Sequence, residues 1–315
     1  MFPETYVPVF DRYAELAYGE NPHQRAVYYT QRGARTHLLA RVEQIQGKPL
    51  SFNNLGDLSA GRLLLLELEG PAAVVVKHGS PCGVALGKTV EEAFTNAQAA
   101  DPTSAYGGVV ALNRPVTAKL GRTMAKQFVE VLFAPGYDRG ALTAFEAKPG
   151  IRVLVDAERR SFVTSERDFQ RVLGGLLVQD RDTDGDPLDA MDVVCGDPDT
   201  AMWDDLLFAW TIAKHVVSNA IVIARGGQTL GIGGGQTSRI DAVRIAVDKA
   251  REQAHGAIAV GDAFFPFSDG PKILLDAGVS AIIHPGGSKR DQDTFELCNA
   301  RGVTCLTTGM RHFKH

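Results

Sequence analysis

The run Ala72-Ala-Val-Val-Val-Lys-His-Gly-Ser-Pro-Cys-Gly83 constrains the fold more than any other stretch of the chain. Val74, Val75 and Val76 are consecutive β-branched residues, which suit a strand buried on both faces. Pro81 lacks a backbone donor and Gly79 and Gly83 tolerate positive φ, so the strand is expected to end in a tight turn. Lys77 and His78 then sit where buried strand becomes exposed turn. In open α/β sheets ligands bind at the carboxyl ends of strands, which makes this ammonium–imidazole pair a candidate reactive site. The plainer alternative is a strand end capped by two solvated polar side chains.

A length of 315 residues implies about two domains. Hydrophobic content of 44% and charged content of 22% are those of an ordinary soluble protein. The formal charge of −4 gives no argument for a nucleic-acid or membrane partner. No apolar run approaches the ~20 residues of a membrane span, and Met1-Phe-Pro-Glu is not a signal peptide. Cys82, Cys195, Cys298 and Cys305 stand too far apart for a Cys-x-x-Cys pair, and no His-x₃-His occurs, so zinc is not expected. Reduced thiols in a cytoplasmic enzyme fit best.

Strand and helix signals alternate along the chain. Adjacent Asn53 and Asn54 read as a turn, followed by the apolar helical run Leu63–Leu68. Thr89 and Glu92 form a capping box for a helix over Val90–Ala99. A glycine pair, Gly107-Gly108, feeds the next strand. A helix over 116–128, a strand over 129–133 and a strand Ile151–Val155 follow. Such alternation implies βαβ units in a parallel or mixed sheet. The acidic, turn-rich stretch Gln179–Thr200 is the best boundary, dividing the chain into 1–195 and 196–315. Beyond it come a helix Met202–His215, a strand Asn219–Ala224, and Gly231-Ile-Gly-Gly-Gly-Gln-Thr-Ser-Arg239, in which Ser238 caps a helix reaching about Ala254.

That glycine stretch matches neither a phosphate-binding P-loop nor a dinucleotide fingerprint. A ligand cradle at a helix N-terminus with Arg239 in the first turn, and close strand–helix packing, both remain open. Gly261-Asp-Ala-Phe-Phe-Pro-Phe-Ser-Asp269 has the composition of a flat apolar slot with polar ends, suited to a heteroaromatic ligand.

Five motifs in order resemble one family: Tyr18-Gly-Glu-Asn-Pro-His-Gln, Lys77-His-Gly-Ser-Pro-Cys-Gly, Asn219 with Gly231-Ile-Gly-x-Gly-Gln-x-Ser-Arg239, Asp262-Ala-Phe-Phe-Pro-Phe, and Arg311-His-Phe-x-His315. Each is weak alone; the ordered set is specific and covers essentially the whole chain. It resembles the aminoimidazole carboxamide ribonucleotide (AICAR) transformylase half of the bifunctional purine-synthesis enzymes. The resemblance implies an α/β fold of duplicated cytidine-deaminase-like units with mixed sheets, active as a homodimer. True deaminases carry His-x-Glu and Pro-Cys-x-x-Cys. Here Gly, Val and Ala follow Pro81-Cys82, so a metal-free version is expected. The inosinate cyclohydrolase half has no counterpart in this sequence, so that step is expected from a separate polypeptide.

The family's reaction moves a formyl group from 10-formyltetrahydrofolate to the 5-amino group of AICAR. By resemblance, His78 is the base, Lys77 stabilises the transition state, Asn219 bonds the formyl region or amine, and His315 completes the polar wall. Tyr18, Asn54, Gly107, Glu130, Arg239, Phe264 and Arg311 match positions that hold the nucleotide. Ile240, Pro266, Asp269, Ser288 and Lys289 match the folate side, and Asp262 lies where relatives hold a structural monovalent cation. One departure stands out. The family places Arg immediately before Tyr-Gly-x-Asn-Pro-His, against the nucleotide phosphate, and this chain has Ala17. Either another cation replaces it, Arg12 and Arg25 being nearest by sequence, or the substrate lacks a full phosphate site. The alternatives to a transformylase are a formyltransferase for a different amine and a non-catalytic nucleotide- or folate-binding subunit.

Overall fold

The computed structural model describes residues 2–34, 39–158, 166–183 and 191–315. Two short strands, β1 (Phe10–Glu15) and β2 (Val27–Gln31), form a separate antiparallel ribbon. The first half then runs β3 (Glu43–Gln46), α1 (Phe52–Leu66), β4 (Ala72–Lys77), β5 (Ser80–Leu86), α2 (Val90–Ala100), α3 (Pro102–Ala105), β6 (Val109–Leu112), α4 (Ala118–Met124), β7 (Val131–Ala134), α5 (Arg139–Glu146) and β8 (Arg152–Val155). A hairpin of β9 (Arg167–Val172) and β10 (Gly175–Asp180) stands apart. The second half runs β11 (Asp192–Cys195), α6 (Thr200–His215), β12 (Ile221–Arg225), β13 (Gln228–Gly233), α7 (Arg239–Ala250), β14 (Ile258–Gly261), α8 (Asp269–Asp276), β15 (Ala281–His284), α9 (Asp291–Arg301) and β16 (Thr304–Thr307).

One mixed sheet of 12 strands joins the halves in the order β11-β16-β15-β14-β12-β13-β5-β4-β6-β7-β8-β3. The same succession appears on each side of its centre. A helix leads into an antiparallel hairpin (β4–β5, β12–β13), a second helix follows, and three mutually parallel strands complete the half. The hairpins meet at β5–β13. There the buried Thr229 hydroxyl accepts from Val84 N at 2.9 Å and donates to Val84 O at 3.1 Å, stitching the two halves.

Val74, Val75 and Val76 are buried, as the β-branched run implied. One face of the sheet packs on α1 and α6 through a core shared by both halves, and the other face carries separate clusters under α2, α4 and α5 and under α7, α8 and α9. Burying each Val or Leu contributes roughly 1.5–3 kcal/mol, so these layers hold the molecule together.

The structure differs from the sequence expectations at informative points. Gly83 makes no turn. It lies within β5, where an added Cβ would stand 1.9 Å from Ala97 O of α2. Gly231 and Gly233 serve β13 similarly: their added Cβ atoms would meet Ala246 O at 2.1 Å and Ala242 O at 2.0 Å. Close strand–helix packing therefore explains two glycines of the glycine-rich stretch, and Ser238 caps α7 as expected. Asn54 is no turn residue either; with Ser51 it forms the capping box that opens α1. In the Thr89 cap, Glu92 reaches back to Lys88 N at 2.8 Å. The helix expected over 116–128 is limited to α4, since the chain must turn before β7. Residues 184–190 of the expected boundary lie outside the described residues.

Candidate active site

His78 and Gly79 are the central residues of the β4–β5 hairpin, whose strands end at the pair Lys77–Ser80. Both have positive φ, 53° and 78°. A left-handed conformation costs a non-glycine residue roughly 1–2 kcal/mol, and strain of this kind concentrates at functional sites. Asp57 of α1 secures the turn by accepting from Gly79 N at 2.6 Å. Burial raises the Asp57 carboxyl above the usual range, opposed by the Gly79 amide and the neighbouring His78 and Lys77. The Lys77 ammonium donates to Gly107 O at 2.8 Å and Tyr106 O at 3.2 Å. An ammonium has three donors, so one remains for a ligand.

A cavity of about 350 Å³ opens beside this turn, lined by Lys77, His78 and Ser80 and, from the second half, by Val217, Gly234 and Gly235. The Ser80 hydroxyl accepts from Val217 N at 3.4 Å. Backbone bonds continue inward from there: Gly235 N to Val217 O, Ser218 N to Lys314 O, and Asn219 N to Gln236 O. The Asn219 side chain is fixed at both ends, donating to Gln236 O at 2.8 Å and accepting from Arg239 at 2.6 Å. One of its two amide hydrogens is left over. Arg239 is buried, paired with Asp262 at 2.6 Å; the other Asp262 oxygen accepts from the Ser218 hydroxyl.

The segment after β16 is pinned beside this network. His312 N donates to Asp262 O, and the Lys314 ammonium donates to His215 O at 3.0 Å. Burial lowers the Lys314 pKa below the usual lysine range. Arg311 stacks on Phe313 at 4.6 Å, and the His315 ring lies 5.5 Å from that of Phe313. His315 lines a second cavity of about 790 Å³ with Lys314, Lys214, His215 and Glu67. There His215 meets Glu67 at 2.7 Å, and burial depresses the imidazole's pKa.

The nucleotide-side residues fall partly together. Asn54 donates to Glu130 at 2.9 Å, and Arg152 approaches the same oxygen at 3.4 Å. Gly107 N donates to Phe128 O, placing Gly107 between Lys77 and this group. Tyr18 adjoins α1, since Phe52 N donates to its carbonyl. Phe264 is more than a third exposed near the end of β14, whereas Phe265 is in the core and Phe267 is exposed. The aromatic slot is thus two rings over one buried anchor.

The folate-side residues lie at the carboxyl ends of β14 and β15 and at the start of α7. Asp269 opens α8, and Ile240 sits in the first turn of α7. Asp291 accepts from Gly287 N at 2.6 Å and Ser288 N at 3.0 Å, shaping the loop that carries Ser288 and Lys289. Arg290 stacks 5.3 Å from Phe267, joining that loop to exposed Pro266 and its neighbours.

Three supporting residues escaped the sequence reading. Asp57 holds the His78 turn; Glu67 anchors His215; and His284, fully buried at the end of β15, accepts from Gly286 N at 3.0 Å. Burial pushes the His284 pKa down to about 4. Among the described residues no group of three or more His, Cys, Asp or Glu side chains is placed to hold a metal. Among them, too, no helix is long and apolar enough to cross a membrane.

The family model described as "AICARFT/IMPCHase bienzyme" matches residues 1–249. Proteins named bifunctional purine biosynthesis protein PurH match throughout: 46% identity with that of Anaeromyxobacter sp. (strain Fw109-5) and 43% with that of Anoxybacillus flavithermus, each over 100% of this chain. The protein of that name from Magnetococcus marinus is 46% identical, also over 100% of this chain. The chain belongs to the AICARFT/IMPCHase bienzyme family. It spans 61–62% of the length of these relatives.

Proposed function

We propose that this chain is an AICAR formyltransferase of purine biosynthesis, transferring the formyl group of 10-formyltetrahydrofolate to the 5-amino group of AICAR. The observation that carries the reading is His78, held at positive φ by Asp57 beside an anchored Lys77, in a cavity closed by the second half. The AICAR amine is a poor nucleophile because its lone pair is conjugated with the ring and carboxamide. Its proton must leave as the C–N bond forms, while negative charge grows on the formyl oxygen. Collapse of that oxyanion then breaks the bond from the formyl carbon to N10 of the folate, and tetrahydrofolate departs as N10 takes up a proton. His78 takes the amine's proton. Lys77, fixed by two carbonyls, directs its remaining N–H to the developing oxyanion. Asn219 offers its spare amide hydrogen to the formyl region, oriented by Arg239; His315 lines the second cavity and takes no part in this step.

In this reading Tyr18, Asn54, Gly107, Glu130, Phe264 and Arg311 hold the nucleotide, and Arg239 reaches it through Asn219. Ile240, Pro266, Asp269, Ser288 and Lys289 form the folate side, with Asp269 facing the pterin's donor edge. A structural monovalent cation at Asp262 fits less well, because Arg239 already matches that carboxylate's charge. The two halves are read as duplicated cytidine-deaminase-like units, 1–195 and 196–315, with β11 paired to β16 across that division. A cytoplasmic homodimer and a separate cyclohydrolase complete the proposal.

The test is formyl transfer by the purified chain with AICAR and 10-formyltetrahydrofolate, followed by absorbance of tetrahydrofolate. AICAR-dependent turnover is expected. Turnover with another amine in place of AICAR would favour the related formyltransferase, and binding without turnover the non-catalytic subunit.

A further inference from the structure

A third cavity, of about 690 Å³, is lined by Tyr106, Lys48, Lys126, Lys148, Arg152 and Glu130. Its walls are built, not incidental. The loop after β3 and the loop before β8 touch through backbone: Gly47 has φ 102°, and an added Cβ would stand 2.4 Å from Ile151 O. Gln44 donates to Lys48 O at 2.7 Å, and Gln46 donates to Lys148 O at 3.1 Å. Arg152 donates to Pro49 O at 3.1 Å and is buried against Glu130. These bonds hold main chain, so the ammonium groups of Lys48 and Lys148 remain exposed. Among the described residues, neither they nor Lys126 has an ion-pair partner. Four cations thus face one carboxylate, a concentration of charge that attracts a multiply charged anion.

The cavity also lies beside the position where the chain departs from its family. Ala17 N donates to Leu50 O at 2.8 Å, within the loop that bears Lys48. Arg12 is spent on Glu15 at the surface, and neither it nor Arg25 lines this cavity. We propose that Lys48, Lys126, Lys148 and Arg152 form a phosphate subsite for a nucleoside monophosphate, supplying the charge that Ala17 cannot. The identification of that nucleotide as AICAR rests on the function proposed above. Glu130 favours a nucleotide over a polycarboxylate such as a folate glutamate tail: its carboxylate can accept from ribose hydroxyls but repels another carboxylate. Tyr106 lines this cavity, and its carbonyl, with that of Gly107, holds Lys77 next to the His78 turn. A nucleotide anchored here by phosphate therefore extends its base toward Lys77.

The experiment compares wild type with the double variant Lys48→Gln/Lys148→Gln, in which the clamped backbone is untouched. Calorimetry is run with AICAR and with its nucleoside, and the KM for 10-formyltetrahydrofolate is measured alongside. The double variant is expected to lose about 10-fold or more in AICAR affinity, with nucleoside affinity, folate KM and melting temperature unchanged. Ala17→Arg is expected to leave AICAR binding level or weaker, because the new guanidinium meets like charge. Equal loss for nucleotide and nucleoside, a rise confined to folate KM, no change at all, or tighter binding by Ala17→Arg would each overturn the subsite. Wild-type protein that prefers the nucleotide through these lysines yet transfers no formyl group to it would sink the transformylase reading and leave the subsite standing.

Discussion

The two hairpins at the centre of the sheet share one construction and differ at the first residue of the turn. In the second half the turn is Gly226-Gly227, with φ 62° and 68°. Asp205 of α6 accepts from both of its amides at 2.8 Å. In the first half the turn is His78-Gly79, with Asp57 of α1 in the place of Asp205. Glycine is what a turn with positive φ at both central residues calls for. The first half accepts the strain of an imidazole there, and the second half does not. A further difference runs the other way: β7 ends in Ala134-Pro-Gly and β15 in His284-Pro-Gly, so the second half buries its imidazole one strand-pair further out. A repeated scaffold has thus placed an exposed histidine in one half and a buried one in the other. In the proposed mechanism only the exposed one moves a proton.

The largest expected effect tests that contrast directly. His78→Ala should reduce turnover ~10²–10⁴-fold, the usual loss for a general base, with AICAR affinity little changed by calorimetry. Gly226→Ala should retain turnover while losing roughly 1–2 kcal/mol of stability to the left-handed strain. Near wild-type turnover in His78→Ala would remove the functional difference between the turns.

His284 supplies a pH test. Its folded pKa, about 4, lies below the ordinary value of 6.5. The unfolded chain therefore binds its proton first as pH falls. The stability involved is present above pH 6.5 and lost on acidification toward 4, on the order of 3 kcal/mol across that window. Denaturant titrations at pH 7 and 5 should show a smaller acid loss in His284→Gln than in wild type. Identical losses would mean that this buried imidazole does not differ from a solvated one.

The carboxylate clamps should separate next. Asp57→Ala should lower kcat about 10-fold, because His78 loses its alignment, and Asp57→Asn, which keeps an acceptor, should recover much of it. Asp205→Ala should cost about 1 kcal/mol of stability with kcat unchanged. Equal kinetic losses at both aspartates would assign the effect to general loosening of the sheet.

The smallest effect is the most pointed. His78→Gly should raise stability by about 1 kcal/mol in urea titrations while turnover stays as low as in His78→Ala. A less stable glycine variant would show that the imidazole holds the turn and is not merely tolerated there.

How much of this was legible depended on the range of each interaction. Val74–Val76 marked a buried strand because β-branched side chains suit the pleat wherever the sheet finds them. Thr89 and Ser238 marked helix starts because a cap bonds only three residues ahead. The family motifs were legible as spellings, and Lys77 and His78 were read correctly as a strand end meeting a turn. Gly83 and Gly231 were not: a glycine that admits another element's backbone is spelled like one that turns the chain. The cap at Asn54 is just as local, since Ser51 stands three residues before it, but Ser-x-x-Asn is spelled like a turn as readily as like a capping box.

By itself, then, the sequence determined most of the elements and the caps at Thr89 and Ser238, and it singled out the residues proposed to carry chemistry. Tertiary structure alone decided that β5 would pair with β13 and close the His78 cavity with residues near 217 and 235. It decided that Asp57 would serve a turn 22 residues away. It also brought Lys48 and Lys148 together through two glutamines and a glycine. The physical reason is that local hydrogen bonds and rotamer preferences are written within a few residues. Long-range pairings form only when burial of the whole sheet offsets the entropy of closing the loops between them.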